Sequence, residues 1–242
     1  MGYKEVYKAA QENPEQFWLE QSKAIDWVRA PEQALFDKGG DLYEWYADAQ
    51  VNGCYNAVDR HVENGRAEQA AIIHDSPITG TKQTITFAEL QTRVAALAGA
   101  LVAQGVTKGD RVIIYMPMVP EAIEAMLACA RIGAVHSVVF GGFAANELAV
   151  RIDDCTPKAI IAASCGLEPN RTVEYKPLLD GAIELADHKP DTCIILQRPQ
   201  HECTLIEGRD IEWEAAKAAG TPADCVPVEG NHPAYILYTS GT

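Results

Sequence analysis

With 242 residues, 48% of them hydrophobic and 22% charged, the chain can fill one large domain or two small ones and is too apolar to be disordered. A net charge of −14 speaks against nucleic-acid binding, which needs a basic surface, so any anionic ligand requires a locally built positive site. The seven cysteines are odd in number and form no CxxC pair, so neither a zinc site nor a disulfide framework is indicated, and reduced thiols in a cytoplasmic chain are expected.

Residues 1–65 hold three of the four tryptophans and five of the nine tyrosines. Short helices are predicted at 4–12 and 14–25, the second capped by Asn13 with Pro14 in its first position. The rest of this extension reads as irregular chain whose large rings bury into grooves of a bigger body. No apolar stretch marks a signal peptide or a membrane span.

From about residue 66 strands and helices alternate. Short strands are expected at 70–75 and 83–86, and Thr86-Phe87-Ala88-Glu89 is a capping box opening a helix with Leu90, Val94, Leu97 and Leu101 on its inner face. Strands follow at 111–116, 135–140, 158–163, 192–196 and 234–238, with helices starting at Pro120, at 145–154, 177–186 and 211–219. Strands apolar on both faces and separated by helices predict an α/β fold: a doubly wound, mostly parallel sheet with flanking helices behind an aromatic-rich N-terminal extension.

Phe140-Gly141-Gly142-Phe143 sits at the carboxyl end of a predicted strand, where open α/β sheets gather ligands. Its glycines serve either a close ligand approach or a tight turn. Arg171, in a loop after another strand, has a ligand phosphate or Glu168 or Glu174 as partner. Asp59-Arg60-His61 offers acid–base groups or a buried junction between extension and main domain. The histidines show no metal-ligand spacing, and no metal site is predicted. At the end of the last strand, Thr239-Ser240-Gly241-Thr242 has the small hydroxyl and glycine residues of a phosphate-cradling loop, or of a plain strand-to-turn junction.

Together, Asn52-Gly-Cys-Tyr-Asn-Ala-Val-Asp-Arg-His61, Asp110-Arg-Val-Ile-Ile-Tyr-Met-Pro117, the run from Ala130 to Phe143, and Ile236-Leu-Tyr-Thr-Ser-Gly-Thr242 resemble the acetyl/propionyl-CoA synthetase branch of the adenylate-forming (AMP-binding) acyl-CoA synthetases. Within that branch, residues 165–179 look more like the propionyl-CoA type. The resemblance implies an N-terminal extension over 1–65 and the first part of the AMP-binding domain over 66–242, continuing into a longer enzyme. It implies a ligase that uses Mg2+-bound ATP and CoA to convert propionate, or alternatively acetate, into its CoA thioester through an acyl-adenylate. By position, Thr239, Ser240, Gly241 and Thr242 match the ATP-phosphate loop, and Phe140, Gly142 and Arg171 match CoA contacts. Where acetyl-CoA members tend to carry a second arginine this chain has Glu168, which puts that contact in doubt and fits the propionyl type. The catalytic lysine, the acyl pocket and the mobile C-terminal domain are expected beyond residue 242, so the chain alone is expected to be inactive. Small-molecule partners, no nucleic acid, no membrane and a homo-oligomer associating through a bare sheet edge complete the expectation. A non-catalytic CoA- or nucleotide-binding module and a purely structural domain are the readings from other classes.

Overall fold

The protein is described from a computed structural model that covers residues 2–40 and 42–239. The chain opens with α1 (Tyr3–Glu12) and α2 (Pro14–Ser22), then β1 (Leu35–Asp37), β2 (Tyr43–Trp45) and β3 (Gln50–Val51). A π-helical turn, Tyr55–Asp59, and a second helical stretch, Val62–Arg66, kinked at Asn64 and Gly65, occupy part of the region expected to be irregular. The second predicted helix stops at Ser22, three residues early, and its N-terminus is capped as read: Asn13 Oδ1 accepts from the Gln16 amide at 3.2 Å. The aromatic rings of the extension pack largely on one another rather than into separate grooves. Trp18 lies 5.1 Å from Phe17 and 5.5 Å from Trp45 between ring centroids, and Trp27 lies 5.5 Å from Tyr46. Trp18 and Trp45 stay partly exposed.

The main body runs β4 (Ala70–Ser76), β5 (Thr81–Thr86), α3 (Phe87–Ala103), β6 (Arg111–Met116), α4 (Pro120–Ile132), β7 (Val135–Phe140), α5 (Ala145–Cys155) and β8 (Ala159–Ala163). It continues through β9 (Cys165–Glu168), β10 (Arg171–Glu174), α6 (Tyr175–Leu185), β11 (Thr192–Leu196), β12 (Asp210–Glu212), α7 (Trp213–Ala219), β13 (Val228–Glu229) and β14 (Tyr235–Ile236). The capping box of α3 forms as expected, Thr86 Oγ1 accepting from the Glu89 amide at 3.2 Å and Glu89 Oε2 from the Thr86 amide at 2.8 Å.

Six strands form one sheet in the order β12-β11-β8-β6-β7-β14, and among the described residues each neighbouring pair in it is parallel. The chain steps from β6 to β7 in one direction, then crosses back to β8 on the other side of β6. Right-handed crossovers then place α4 and α5 on opposite faces. Consistently, α3 packs with α4 and α7, and α5 packs with α6. Val112, Ile113, Ile114, Ile160, Ile161 and Ile194, all fully buried, fill the core between the two helix layers. The sheet is thus doubly wound, and the reversal opens a crevice beyond the carboxyl ends of β6 and β7.

In the main body two segments take up an element other than the one expected, and the last strand spans Tyr235–Ile236 rather than 234–238. Residues 166–172, expected as a loop, belong to the hairpin β9–β10, with the oppositely charged Glu168 and Arg171 facing each other at its tip. Residues 211 and 212, expected at the start of a helix, instead join the sheet beside β11 together with Asp210, and the helix starts at Trp213 with Glu212 accepting from the Ala215 amide at 2.9 Å. Asp210 explains the difference. Its carboxylate is wholly buried and takes Lys176 Nζ at 2.9 Å and Arg209 Nε at 2.7 Å, which ties this edge strand to α6.

The extension joins the body through β3, antiparallel to β13, and through Asn52, whose side-chain amide donates to the carbonyls of Arg131 at 2.9 Å and Val226 at 2.8 Å. Asp59 accepts from Arg131 Nη1 at 2.8 and 3.0 Å and from Gln91 at 2.8 Å. His61 packs on Phe87 with centroids 4.8 Å apart. Of the two readings of Asp59-Arg60-His61, the junction is the one that the geometry builds. Among the described residues no helix is long and apolar enough to cross a membrane.

Candidate functional site

Two buried tyrosines hold the turn that follows β7. Tyr115 belongs to β6 and Tyr175 starts α6, and their ring centroids are 5.1 Å apart. The Tyr175 hydroxyl donates to the Gly141 carbonyl at 2.6 Å, and the Tyr115 hydroxyl to the Phe143 carbonyl at 3.0 Å. Burial pushes the Tyr175 phenol up to about 12 and also raises Tyr115, so both remain proton donors through neutral pH. The turn Phe140–Phe143 is therefore clamped at two of its carbonyls.

Its two glycines have different reasons to be glycine. A Cβ on Gly141 would lie 2.5 Å from Tyr175 Oη and Cε2, so this residue is small because the tyrosine sits against it. Gly142 has φ +131°, a conformation that side chains rarely adopt, and an added Cβ would meet only the Phe140 ring, at 3.5 Å. Phe140 itself is 69% exposed, an unusual state for a phenylalanine at the end of a core strand.

A cavity of about 610 Å3 opens beside this turn. Its wall includes Met116–Val119 from the end of β6 onward, Phe140 and Gly141 at the end of β7, Gly166–Glu168 and Val173 of the hairpin, Tyr175 and Arg198. That volume is within the range of small-molecule and cofactor sites, which run from roughly 300 to 1,000 Å3. Arg198 is fixed by its Nη1 donating to the Cys165 carbonyl at 3.0 Å. Of the residues expected at CoA, Phe140 lies on the wall and Gly142 directly follows the wall residue Gly141. Arg171 does not line the cavity. It sits at the exposed hairpin tip and is paired with Glu168, Nε to Oε2 at 2.8 Å and Nη2 to Oε1 at 3.1 Å. The arginine holds the Glu168 carboxyl below its usual range.

Arg151 of α5 links the turn to Tyr238, two residues beyond the last strand. Its guanidinium lies 4.9 Å from the Phe143 ring centroid and 5.0 Å from that of Tyr238, while the Tyr238 hydroxyl donates to Asp154. Thr239 follows immediately; the expected phosphate-loop residues Ser240, Gly241 and Thr242 lie outside the described residues. Among the described residues one group of metal-ligating side chains comes together, Cys54, Asp59 and Cys225, and it offers two sulfurs rather than the all-oxygen set that Mg2+ takes.

Sequence reasoning missed Tyr115, Tyr175, Arg151 and Arg198. Tyr115 carried a signal, a phenol inside an otherwise apolar strand, since a buried hydroxyl needs a partner. The other three depend on contacts between distant elements.

The family model for AMP-binding enzymes matches residues 58–242. The chain belongs to the AMP-binding enzyme family. The model of the acetyl-coenzyme A synthetase N-terminus matches residues 3–57 of this AMP-binding chain. It is 51% identical over 241 residues to the mitochondrial acyl-CoA synthetase short-chain family member 3 of Rattus norvegicus, covering 99% of this chain and 35% of that protein. It is 41% identical over 245 residues to the propionate–CoA ligase of Escherichia coli K12, covering 100% of this chain and 39% of that protein. The chain thus spans well under half the length of these relatives. The solved acetoacetyl-CoA synthetase from Streptomyces lividans superposes with a TM-score of 0.87 at 23% identity, over 100% of this chain and 36% of that one, a likeness of fold.

Proposed function

We propose that the chain forms the front of an ATP-dependent short-chain carboxylate–CoA ligase and contributes its CoA-facing crevice. The observation that carries this is the clamped Phe140–Phe143 turn beside a 610 Å3 cavity at the switch point of an AMP-binding sheet. In this reading residues 1–65 are the extension and 66–242 the start of the nucleotide-using domain. A carboxylate oxygen attacks the α-phosphorus of the Mg·ATP substrate, the bond to pyrophosphate breaks, and acyl-adenylate forms. The CoA sulfur then attacks the acyl carbonyl and AMP leaves. Thr239, Ser240, Gly241 and Thr242 cradle the ATP phosphates with hydroxyl and amide donors. Phe140 and Gly142 flank CoA, Gly142 because it has no side chain to obstruct the approach. Arg171 meets a CoA phosphate by exchanging Glu168 for the ligand, since a dianion is the better partner for an exposed guanidinium.

Propionate is the preferred acid, supported by the 165–179 segment with Glu168 in it. Acetate is the second reading, supported by the acetyl-coenzyme A synthetase model over residues 3–57. The cytoplasm remains the proposed compartment. Because relatives are more than twice as long, the 242 residues alone are expected to carry out no adenylation; acyl-dependent ATP–pyrophosphate exchange by this stretch alone would overturn that point.

The test of the CoA assignment is steady-state kinetics of the full-length enzyme with Arg171→Ala. A KM for CoA raised several-fold, with the KM for ATP unchanged, is expected. An unchanged KM for CoA would remove Arg171 from the site.

A further inference from the structure

The cluster around Cys54 lies outside the crevice and takes no part in the proposed reaction. Cys54 is fully buried at the head of the π-helical turn, and Cys225, in the segment before β13, is partly open to solvent. The two sulfurs and an Asp59 carboxylate oxygen all lie within 4.8 Å of one another. Asp59 Oδ2 is 3.7 Å from Cys225 Sγ and 4.0 Å from Cys54 Sγ, and Arg131 Nη1 is 3.7 Å from Cys54 Sγ.

The two cysteines come from opposite ends of the sequence but are held in register on both sides. Asn52 bonds the Val226 carbonyl, the Val226 amide donates to the Arg131 carbonyl at 2.8 Å, and Arg131 Nε donates to the Ala223 carbonyl at 2.6 Å. The sulfurs therefore face each other across a fixed gap.

Two chemistries suit a pair of sulfurs beside a carboxylate. A divalent thiophilic ion would use all three groups, but the Arg131 guanidinium already occupies Asp59 and cannot give up its charge. A dication would stand next to a fixed cation. The same guanidinium favours a thiolate at Cys54. The Cys54 thiol is held below its usual range by the hydrogen bond from Cys225 and by Arg131, whereas burial pushes Cys129 and Cys193 up to about 12.

We propose that Cys54 and Cys225 are a redox-active dithiol that a peroxide closes to a disulfide, locking the N-terminal extension to the main body. The Cys54 sulfur attacks one oxygen of hydrogen peroxide, forming S–O, breaking O–O and releasing hydroxide. The Cys225 sulfur then attacks the Cys54 sulfenic acid, forming S–S and breaking S–O; the hydroxyl leaves with the Cys225 proton as water. The dithiol loses two electrons and the peroxide gains them. Cys225, the more exposed partner, marks the side from which so small an oxidant enters.

The test is peptide mass spectrometry on the purified full-length protein after graded hydrogen peroxide and alkylation. A Cys54–Cys225 cross-linked peptide that dithiothreitol removes is expected, forming before any oxidation of Cys203, with a higher urea midpoint for the oxidised protein. Cys225→Ser should abolish the midpoint shift and leave a Cys54 sulfenic acid that dimedone captures. Oxidation at Cys203 or elsewhere without the cross-link would overturn the proposal. So would zinc bound stoichiometrically after purification without chelator and lost in Cys225→Ser, which would assign the cluster to a metal. The parent protein supplies the deciding readout even if a variant fails to fold, and none of these readouts depends on ligase activity.

Discussion

Replacing Gly141 by alanine sets a methyl group against the ring that clamps the turn. The new Cβ would lie 2.5 Å from Tyr175 Oη and Cε2 and 2.7 Å from Cζ. The tyrosine cannot swing aside, because it is 4% exposed and packed on Tyr115 with its hydroxyl bonded to the Gly141 carbonyl. Overpacking of this kind costs roughly 1–3 kcal/mol. Displacing the hydroxyl from its carbonyl adds about 1 kcal/mol. The expected loss is therefore about 2–4 kcal/mol, read as a lower urea midpoint at unchanged slope. Gly53→Ala, where an added Cβ meets nothing within 4 Å, is the control and should stay within about 0.5 kcal/mol of the parent. Tyr175→Ala combined with Gly141→Ala should cost clearly less than the sum of the two single changes, since the ring that clashes is gone. A Gly141→Ala protein as stable as the control, or strict additivity in the double variant, would refute the clamp.

Other parts of the structure give equally definite expectations. Asp59→Asn leaves Arg131 buried without its partner, both side chains being 7% exposed, and should cost about 3–5 kcal/mol in urea unfolding, whereas Glu168→Ala at the exposed hairpin pair should leave the midpoint unchanged. Burial alone would raise the Asp210 carboxyl, but hydrogen bonds from Arg209, the Ile206 amide and Lys176 prevail and hold it below the usual range. Its stabilising contribution is thus fully present above the unfolded value of about 3.9 and is lost as pH falls through the lower folded value; Asp210→Asn should flatten the acid limb of a urea-midpoint titration, and an unchanged limb would contradict this. Arg151→Ala removes both ring contacts, each worth about 0.5–2 kcal/mol, and should lower kcat/KM for CoA more than it lowers stability; equal loss in an Arg151→Lys protein would point to the planar guanidinium rather than the charge.

Much of the fold was legible because its strands are short, apolar on both faces and punctuated by capping residues. Thr86 with Glu89, Asn13 with Pro14, and Pro120 each mark a helix start that the structure keeps. The misread segments are those where a tertiary contact decides. Residues 211 and 212 have the composition of a helix start, and the cations of Arg209 and the distant Lys176 make a strand with the buried Asp210 stable there. The 165–174 hairpin is closed by a two-residue link and one cross-strand charge pair, signals too local to separate it from a loop. At the crevice, the glycines of the Phe140–Phe143 turn announced a special backbone. Which glycine lies against Tyr175 and which takes the positive φ is a property of packing, absent from the motif itself.

The most direct test of the ligase assignment is acyl-dependent ATP–pyrophosphate exchange by the full-length protein, with propionate and acetate compared by kcat/KM. Exchange with both acids is expected, with propionate favoured by the roughly 10- to 200-fold that one methylene supplies in an apolar pocket. A folded protein that exchanges with neither acid, yet still binds CoA, would contradict the assignment and leave a binding module in its place.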